Sequence, residues 1–356
     1  MARKENIESL EVLLRDLCNP KLPFGGKVIV FGGDFRQILP VVPHKSLRES
    51  VSASLVASHL WPEMIRFRLV ENIRAKEDPE FARFLLALGN GELQNEEEDY
   101  VEVPADIVKS IASEHSDPLA EITSMLFEEL AAGNCRSEAF TTQAILTPMN
   151  EDVDALNSIL IEKFPRQAVH YKSFDTMLDD SCNIYPSEFI NKLCPGGMSP
   201  HDLVLKENCP VILLRNILPS FGLCNGTRLV CSRFFPNLID CIIVTGHHKG
   251  EHAFIPRVKL RPSTSNGYPF QFQRKQFPIK LSFAMTINKS QGQTLNRVAI
   301  YLRQPCFSPG QLYVALSRAR RSTQVSVYAT KNKSRMPITY LKNVVSYDVL
   351  QLAGIL

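Results

Sequence analysis

The sequence predicts an α/β protein of two or three domains, with a small β-barrel inserted in its second α/β unit. The 356 residues are too many for one ordinary domain, since domains usually have about 100 to 200 residues. Uninterrupted apolar runs typical of strands covered on both faces occur near both ends of the chain. Short β-type runs separated by turn signals occupy residues 209–260, as in a small barrel.

The composition is that of a globular protein without a membrane span. It is 44% hydrophobic and 22% charged, and no apolar run approaches the roughly 18 residues that a span needs. Residues 1–10 mix acidic and basic side chains and show no targeting signal. The net charge of +3 is small for a nucleic-acid-binding protein, so any basic surface must be local.

The nine cysteines are scattered through the chain. They form no CxxC pair and no spacing that matches histidines, which argues against zinc, and their odd number argues against a disulfide framework. Buried thiols in a reducing compartment are the simpler interpretation.

The first unit begins with a helix and a strand. Apolar residues three and four apart predict an amphipathic helix over residues 7–17, ended by the breaker Asn19-Pro20. Residues 27–31 form an apolar run of the kind found in a buried parallel strand, and residues 32–34 turn the chain. Ligands gather at the carboxyl ends of such strands.

Residues 92–132 are acidic and predict a helical connection, whose acidic run 96–99 we interpret as a solvated face. A second α/β unit opens with a strand at residues 144–146. Thr147 and Pro148 then form a cap and first-turn pair before a helix. After the barrel, α/β character resumes in runs at residues 281–283, 298–302 and 325–328.

Three polar stretches follow strands or open a helix. Residues 32–41 (GGDFRQILPV) place a carboxylate, a guanidinium and an amide where they can reach a phosphate, although Asp34 could equally cap a turn. Residues 283–295 (FAMTINKSQGQTL) suit a sugar-phosphate backbone or a solvated loop. In residues 308–319 (SPGQLYVALSRA), Ser308 is a natural N-cap with Pro309 at the first helical position. Arg318, toward the end of that helix, could interact favourably with the helix dipole or bind a γ-phosphate.

Taken in order, these stretches resemble the PIF family of superfamily 1, RecD-like DNA helicases, especially the members associated with Helitron transposons. The resemblance covers nearly the whole chain. It adds residues 69–74 (LVENIR), 146–157 (LTPMNEDVDALN), 210–216 (PVILLRN) and 222–229 (GLCNGTRL).

The resemblance implies two tandem RecA-like domains with an SH3-like β-barrel inserted in the second. The implied boundaries are 1–75 for the end of the first RecA-like domain, 76–140 for a helical connection, 141–205 with 277–356 for the second RecA-like domain, and 206–276 for the barrel. It also implies the cofactors ATP and Mg²⁺, the partners single-stranded DNA and duplex junctions, and a nuclear location. Telomere maintenance, repair, recombination and transposition are left open.

The resemblance assigns roles to individual residues. Gln37 would sense the γ-phosphate, Asp34 would couple that sensing to the DNA groove, and Arg74 and Arg318 would reach ATP. Gly292 and Gln293 would complete the nucleotide-binding set. The implied DNA-binding residues are Thr147, Pro148, Asn150, Thr286, Lys289, Ser290 and Gln291. Asn288 stands where many superfamily 1 relatives have histidine, so a role that needs an imidazole is in doubt.

The string Gly-x-x-x-x-Gly-Lys-Ser/Thr, which cradles phosphates and magnesium, does not occur. The nearest, Gly25-Gly26-Lys27, continues into Val28. An Asp-Glu magnesium pair is not found either, so the resemblance implies a chain that starts just after its ATP-holding segment and hydrolyses ATP only at background rate alone. Metal ligands are accordingly assigned to no residue.

Two functions follow. The first is an ATP-dependent helicase moving 5′ to 3′ on single-stranded DNA. The second is a module that binds single-stranded DNA without ATP, for which Tyr268, Phe270 and Phe272 beside Arg274 and Lys275 are stacking candidates. Alternating aromatics are also typical of a strand's buried face. We further expect residues 1–75 to be less stable than residues 140–350, because the first sheet leaves an edge and an apolar face exposed.

Overall fold

The computed structural model describes residues 2–40, 42, 47–95, 98–110, 119, 122–124, 137–178, 185–262, 268–329 and 337–356. These residues form two compact units. Unit 1 comprises Met1–Ser110, Ser290–Gln293 and Leu302–Leu356, and unit 2 comprises Ile111–Lys289 and Thr294–Tyr301. None of the described helices is long and apolar enough to cross a bilayer.

The helices are α1 (Lys4–Leu17), α2 (Leu47–Ser52), α3 (Pro79–Asn90), α4 (Ser137–Thr142), α5 (Asn150–Lys163), α6 (Ser187–Lys192), α7 (Gln311–Leu316) and α8 (Tyr347–Leu352). The strands are β1 (Gln94–Asn95), β2 (Glu98–Glu102), β3 (Val108–Ser110), β4 (Gln143–Thr147), β5 (Val169–Lys172), β6 (Phe174–Met177), β7 (Asp202–Leu205), β8 (Pro210–Leu213), β9 (Arg228–Phe234), β10 (Leu238–Ile243), β11 (His252–Pro256), β12 (Val258–Leu260), β13 (Phe272–Gln276), β14 (Ile279–Leu281), β15 (Ala284–Thr286), β16 (Arg297–Leu302), β17 (Val325–Ala329) and β18 (Tyr340–Lys342).

The predicted N-terminal helix is confirmed as α1, but the predicted strand at residues 27–31 is wrong. That segment is extended and unpaired, and Val28 and Val30 are 93% and 89% exposed. Within the described residues no backbone hydrogen bond joins residues 28–33 to another segment. An apolar run becomes a buried strand only where neighbouring strands supply ladder partners, and the described residues supply none here.

Unit 1 exposes a second apolar segment at residues 65–73. Phe67, Leu69 and Val70 are between 88% and 98% exposed, and no backbone hydrogen bond is found for this segment in the described structure. The exposed apolar surface that we expected for residues 1–75 is therefore present.

We predict that the backbone amides of residues 28–33 and 65–73 exchange with solvent far faster than those of β4. Amides outside a ladder need no opening of structure to exchange, whereas the buried, doubly flanked strand β4 exchanges only on unfolding. Hydrogen–deuterium exchange with mass spectrometry of the 356-residue chain measures both. Comparable protection of the two exposed segments and β4 would contradict the exposed placement.

Residues 94–110 also differ from the prediction of a purely helical connection. After α3, the chain forms β1 and β2, which pair as an antiparallel hairpin, and β2 pairs with β18. Strand β3 runs parallel to β17. The acidic residues hid this, because a short strand buries only alternate side chains, such as Val101. Residues 96–97 of the predicted acidic face, and most of 111–136, lie outside the described residues.

In unit 2, three parallel strands form the centre in the order β15-β4-β16. Helix α5 packs on this sheet through Val153, Leu156 and Leu160, as the periodicity predicts. The helix begins at Asn150, with Met149 as N-cap, rather than at the predicted Thr147-Pro148 pair. Thr147 stays in β4 and is fully buried, which explains the shift.

The remaining strands of unit 2 make the predicted β-rich region. Strands β11-β10-β9-β8-β14 form an antiparallel sheet, and β12-β13-β6 form a second one. Because β5 and β6 pair with later strands, the β-rich region begins at Val169, before the predicted boundary at residue 206.

The aromatic candidates for base stacking lie in the core of this region. Phe270 and Phe272 are 5% and 1% exposed and pack with Ile190 and Met198, and Tyr268 is partly buried against them. The buried-face interpretation is therefore correct, and the stacking interpretation is wrong. Arg274, beside them, has no exposed surface.

Candidate functional site

The turn at residues 34–37 is built around the carboxylate of Asp34. The backbone amide of Gln37 donates to the backbone carbonyl oxygen of Asp34 (3.1 Å), and the backbone amide of Arg36 donates to Asp34 Oδ1 (3.1 Å). Arg36 Nε donates to Asn90 Oδ1 at the end of α3 (2.6 Å). Asp34 therefore does cap a turn, and that turn holds Gln37 at a defined place beside α3.

Two glycines let this turn pack closely in unit 1. Gly310 has φ 75°, and a Cβ there would lie 2.5 Å from the Arg36 carbonyl oxygen. A Cβ at Gly89 would lie 2.8 Å from Arg36 Cδ. Only glycine fits both positions without displacing backbone or a held side chain. Gly310 is also the N-cap of α7, so this helix starts two residues later than the predicted Ser308-Pro309 start.

Gln37 is hydrogen-bonded to the loop that the resemblance assigns to DNA. Gln291 Nε2 donates to Gln37 Oε1 at 2.9 Å. Both residues belong to unit 1, together with Ser290, Gly292 and Gln293. The structure therefore joins a residue predicted to sense phosphate to one predicted to sense DNA, across 254 positions of sequence.

Arg318 lies just after α7, not within it, and is 1% exposed. Its Nε donates to the Val314 carbonyl oxygen (2.7 Å), and its Nη1 donates to the carbonyl oxygens of Gln293 (3.0 Å) and Ser290 (3.4 Å). Its Nη2 donates to Ser317 Oγ (2.7 Å). The guanidinium thus ties residues 290–293 to the end of α7.

Arg74 approaches the same place from the end of the exposed segment. Its Nη1 donates to the carbonyl oxygen of Ser317 at 2.9 Å. Burial, together with the charge of Arg74, lowers the pKa of Arg318 to about 10. Burial also lowers the pKa of Arg74. The charge of Arg74 thus disfavours the charge of Arg318, and a bound anion beside them would relieve that cost.

These side chains fit a nucleotide phosphate better than they fit a metal. The donor set is two guanidinium groups and the amides of Gln37 and Gln291, which are suited to anionic oxygens. Among the described residues there is no group of three or more His, Cys, Asp or Glu that could hold a metal ion. The described side chains alone do not make a magnesium site.

The other predicted DNA-binding residues lie in unit 2 at the carboxyl ends of two adjacent parallel strands. Thr147 and Thr286 are register partners of β4 and β15. Thr147 is buried with its Oγ1 3.4 Å from Asp152 Oδ2, and Pro148 is buried too. Asn150, at the start of α5, is exposed. Of Thr147, Pro148 and Asn150, only Asn150 therefore presents its side chain to solvent.

Two residues that the sequence does not assign to the site, Asn225 and Arg215, lie beside Lys289. Lys289 Nζ donates to Asn225 Oδ1 at 2.7 Å, and the Asn225 amide donates to Asn216 Oδ1 at 2.8 Å. Burial lowers the pKa of Lys289, and the nearby charge of Arg215 lowers it further. The resemblance stretches contain Arg215 and Asn225, but a separation of 64 residues between Asn225 and Lys289 hides their contact from local pattern.

Two family models match parts of the chain. The family model described as PIF1-like helicase matches residues 1–99, and the model described as DNA helicase Pif1, 2B domain, matches residues 188–234. Both models describe PIF1-like helicases, so the chain is similar to this family over residues 1–99 and 188–234. The 2B match lies within the β-rich region that begins at Val169, and it overlaps the predicted insertion, residues 206–276, only from residue 206 onward.

Curated relatives include the ATP-dependent DNA helicase PIF1 of Danio rerio, 26% identical over 332 residues, which covers 90% of this chain and 43% of the relative. The human ATP-dependent DNA helicase PIF1 is 25% identical over 333 residues, covering 90% and 43%. The chain thus spans less than half the length of the curated PIF1-like relatives it matches.

Solved structures of PIF1-like helicases share the fold. Bacteroides Pif1 bound to single-stranded DNA gives a TM-score of 0.65 at 19% identity, covering 100% of this chain and 73% of that chain. Pif1 helicase from Candida albicans gives 0.60 at 22% identity, covering 100% and 74%. The predicted class of tandem RecA-like α/β domains is confirmed. The SH3-like character of the inserted barrel stays a prediction.

Proposed function

We propose that this chain is the phosphate-sensing and DNA-facing part of an ATP-dependent DNA helicase that moves 5′ to 3′ on single-stranded DNA. The observation that carries the proposal is the hydrogen bond between Gln291 and Gln37. It supplies a direct route by which the presence of a γ-phosphate at Gln37 changes the loop that faces DNA, and the reverse. The names of the relatives, ATP-dependent DNA helicase PIF1, support the same activity.

In this proposal Gln37, Arg74 and Arg318 stabilise the γ-phosphate of ATP, and Asp34, Gly292 and Gln293 shape the place where it binds. ATP supplies the free energy when it is bound and hydrolysed. Of the predicted DNA-binding residues, Asn150, Thr286, Lys289 and Gln291 contact the DNA backbone, and the buried Thr147, Pro148 and Ser290 support the segments that carry them. Mg²⁺ accompanies the nucleotide, and we assign no step to it. Single-stranded DNA and duplex junctions are the proposed partners, and the nucleus is the proposed location.

The test uses the product of the complete open reading frame that contains this chain. We expect ATP hydrolysis that single-stranded DNA stimulates, and unwinding of a duplex with a 5′ single-stranded tail. Gln291→Ala should weaken the stimulation by DNA more than the DNA-independent rate, because it cuts the link and leaves Gln37 in place. A wild-type product without DNA-stimulated hydrolysis would refute the proposed function. DNA binding without hydrolysis would favour the ATP-independent module.

The group around Lys289 gives a second measurable expectation. If Lys289 and Arg215 contact phosphates, Lys289→Ala or Arg215→Ala in the 356-residue chain should weaken single-stranded DNA binding and reduce the slope of log K against log salt by about 0.7 each. Fluorescence anisotropy at several salt concentrations measures both. Lys163→Ala, which removes an exposed lysine at the end of α5, is the matched control and should leave the slope unchanged. Equal slopes for all variants would exclude these phosphate contacts.

A further inference from the structure

Tyr313 lies on α7 in unit 1, outside the set of residues that the sequence assigns to the site. Its hydroxyl donates to Asp34 Oδ2 at 3.0 Å. Its ring is packed against α3, where a Cβ at Gly89 would lie 3.0 Å from Tyr313 Cδ2. Burial and the negative charge of Asp34 both raise the pKa of Tyr313. The phenol is thus a neutral donor at physiological pH, fixed in one orientation.

Asp34 connects Tyr313 to the rest of the turn, because its carboxylate also contacts Arg36 and Gln37. Its Oδ1 accepts from the Arg36 amide (3.1 Å) and lies 3.3 Å from Arg36 Nη1. Its Oδ2, which accepts from Tyr313, also lies 3.5 Å from Gln37 Nε2. Each oxygen of the carboxylate therefore faces a different partner, so a change at Tyr313 alters the orientation that Arg36 and Gln37 depend on.

The same short helix leads to Arg318. Tyr313 is the neighbour of Val314, whose carbonyl oxygen accepts from Arg318 Nε at 2.7 Å. A hydrogen bond from Tyr313 to Asp34 consequently links the backbone that holds Arg318 to the turn that holds Gln37. In the proposed function Gln37 and Arg318 must both contact the same phosphate. A misplacement of about 1 Å in such a pair costs about 10²-fold in rate.

We infer that Tyr313 is a positioning residue, which holds Asp34 so that Gln37 and Arg318 address the same phosphate. The inference rests on the proposed function. It predicts an effect on turnover and not on affinity for ATP, because Tyr313 acts through Asp34 and not on the nucleotide.

The first experiment measures DNA-stimulated ATP hydrolysis by the product of the complete open reading frame. Tyr313→Phe should lower kcat about tenfold, the effect of one lost hydrogen bond to a charged group, with KM for ATP within about twofold. Asp34→Asn should lower kcat as well, and the double variant should be no slower than the worse single variant. Tyr347→Phe is the matched control, because it deletes a hydroxyl that donates to the Gly91 carbonyl oxygen elsewhere in unit 1.

The second experiment uses the 356-residue chain and requires no activity. Hydrogen exchange of the Arg36 amide should be faster in Tyr313→Phe than in wild type, and unchanged in Tyr347→Phe. An active wild type with Tyr313→Phe at the wild-type rate would overturn the inference and leave the proposed function standing. Additive effects of the two single variants would overturn it too. A wild type without DNA-stimulated hydrolysis would refute the proposed function, and unchanged exchange at Arg36 would separately refute the hold on the turn.

Discussion

Replacing Arg318 by alanine is expected to lower the DNA-stimulated ATPase rate of the complete open-reading-frame product by a factor of about 10³ or more. An arginine that neutralises charge developing on a transferred phosphoryl group is worth about 10³ to 10⁵ in rate. The four described acceptors of Arg318 are three carbonyl oxygens and a hydroxyl, none of which carries a full negative charge. Its positive charge is therefore not neutralised by these partners, and in the proposed function it stabilises the γ-phosphate.

Arg318→Lys separates charge from geometry. Lysine keeps the positive charge but cannot reproduce the fork that reaches Val314, Gln293 and Ser317 together. We expect Arg318→Lys also to lose most of the ATPase rate. DNA binding, and the stimulation of the remaining rate by DNA, should stay measurable. Arg321→Ala is the matched control, since Arg321 is an exposed arginine three positions away that pairs with Glu77.

The measurement is steady-state ATP hydrolysis with and without single-stranded DNA, together with a thermal unfolding curve for each variant. If Arg318→Ala unfolds, Arg318→Lys carries the test. A folded Arg318 variant that keeps more than about a tenth of the wild-type rate would show that the arginine serves only to tie residues 290–293 to α7, since an arginine finger is worth far more than that.

The sequence predicts well where the structure obeys short-range rules. Helix α5 follows from apolar residues three and four apart, and β4 and β16 follow from apolar runs that neighbouring parallel strands cover. The short strands β8 to β11 follow from β-type runs between turn signals. Each of these signals is contained within about ten residues of chain.

The failures come from partners that local pattern does not contain. Residues 27–31 have strand composition, yet no described strand pairs with them. The pairs Thr147-Pro148 and Ser308-Pro309 each predict a helix start two residues too early. A buried Thr147 extends β4, and Gly310, which has a positive φ and packs closely on Arg36, is the N-cap of α7. Tertiary contacts override cap propensity at both positions.

The candidate site divides in the same way. Gln37, Arg74 and Arg318 come from the family resemblance, and their meeting with Gln291 and Ser317 is a property of the fold. Nothing in the local sequence pattern identifies Tyr313 or Asn225 as a site residue. Their importance depends on contacts with Asp34 and Lys289, 279 and 64 positions away.

Arg274 shows why a cation next to aromatics is a poor guide to DNA binding. In the sequence it stands beside Phe272 and Lys275, as in a stacking surface. In the structure its side chain has no exposed surface and forms a two-point ion pair with Asp175, Nε to Oδ1 at 3.0 Å and Nη2 to Oδ2 at 2.7 Å. It also donates to the carbonyl oxygens of Leu193, Ser199 and Ile190. Arg274 therefore fastens β13 to β6 and to the segment around α6.

Breaking this buried pair is expected to destabilise unit 2 strongly. Arg274→Met leaves Asp175, which is 3% exposed, as a buried carboxylate without its cation, and also strips three carbonyl oxygens of a donor. Removing one partner of a buried ion pair costs about 3 to 5 kcal/mol. Urea unfolding of the 356-residue chain, followed by circular dichroism, measures the loss.

The pair of the exposed Arg233 with the buried Asp240 provides the matched control. Arg233 Nε lies 3.5 Å from Asp240 Oδ2, but the Arg233 side chain is 72% exposed. The Asp240 side chain is only 4% exposed, but it keeps a second partner, because His252 Nδ1 lies 2.7 Å from its Oδ1. Arg233→Met should therefore cost less than about 1 kcal/mol, because an ion pair with an exposed cation is weak. Because both carboxylates are buried, the contrast between the two Arg→Met changes isolates the burial of the arginine from the loss of an arginine as such.

Combining Arg274→Met with Asp175→Leu sharpens the test. The double variant no longer buries an unpaired charge, so it should be more stable than Arg274→Met alone, although the three carbonyl oxygens still lack their donor. DNA binding by the folded double variant should equal that of wild type, because Arg274 lies in the core and not on the DNA-facing surface. A folded chain that loses DNA affinity but not stability on Arg274→Met would instead return Arg274 to the DNA interface.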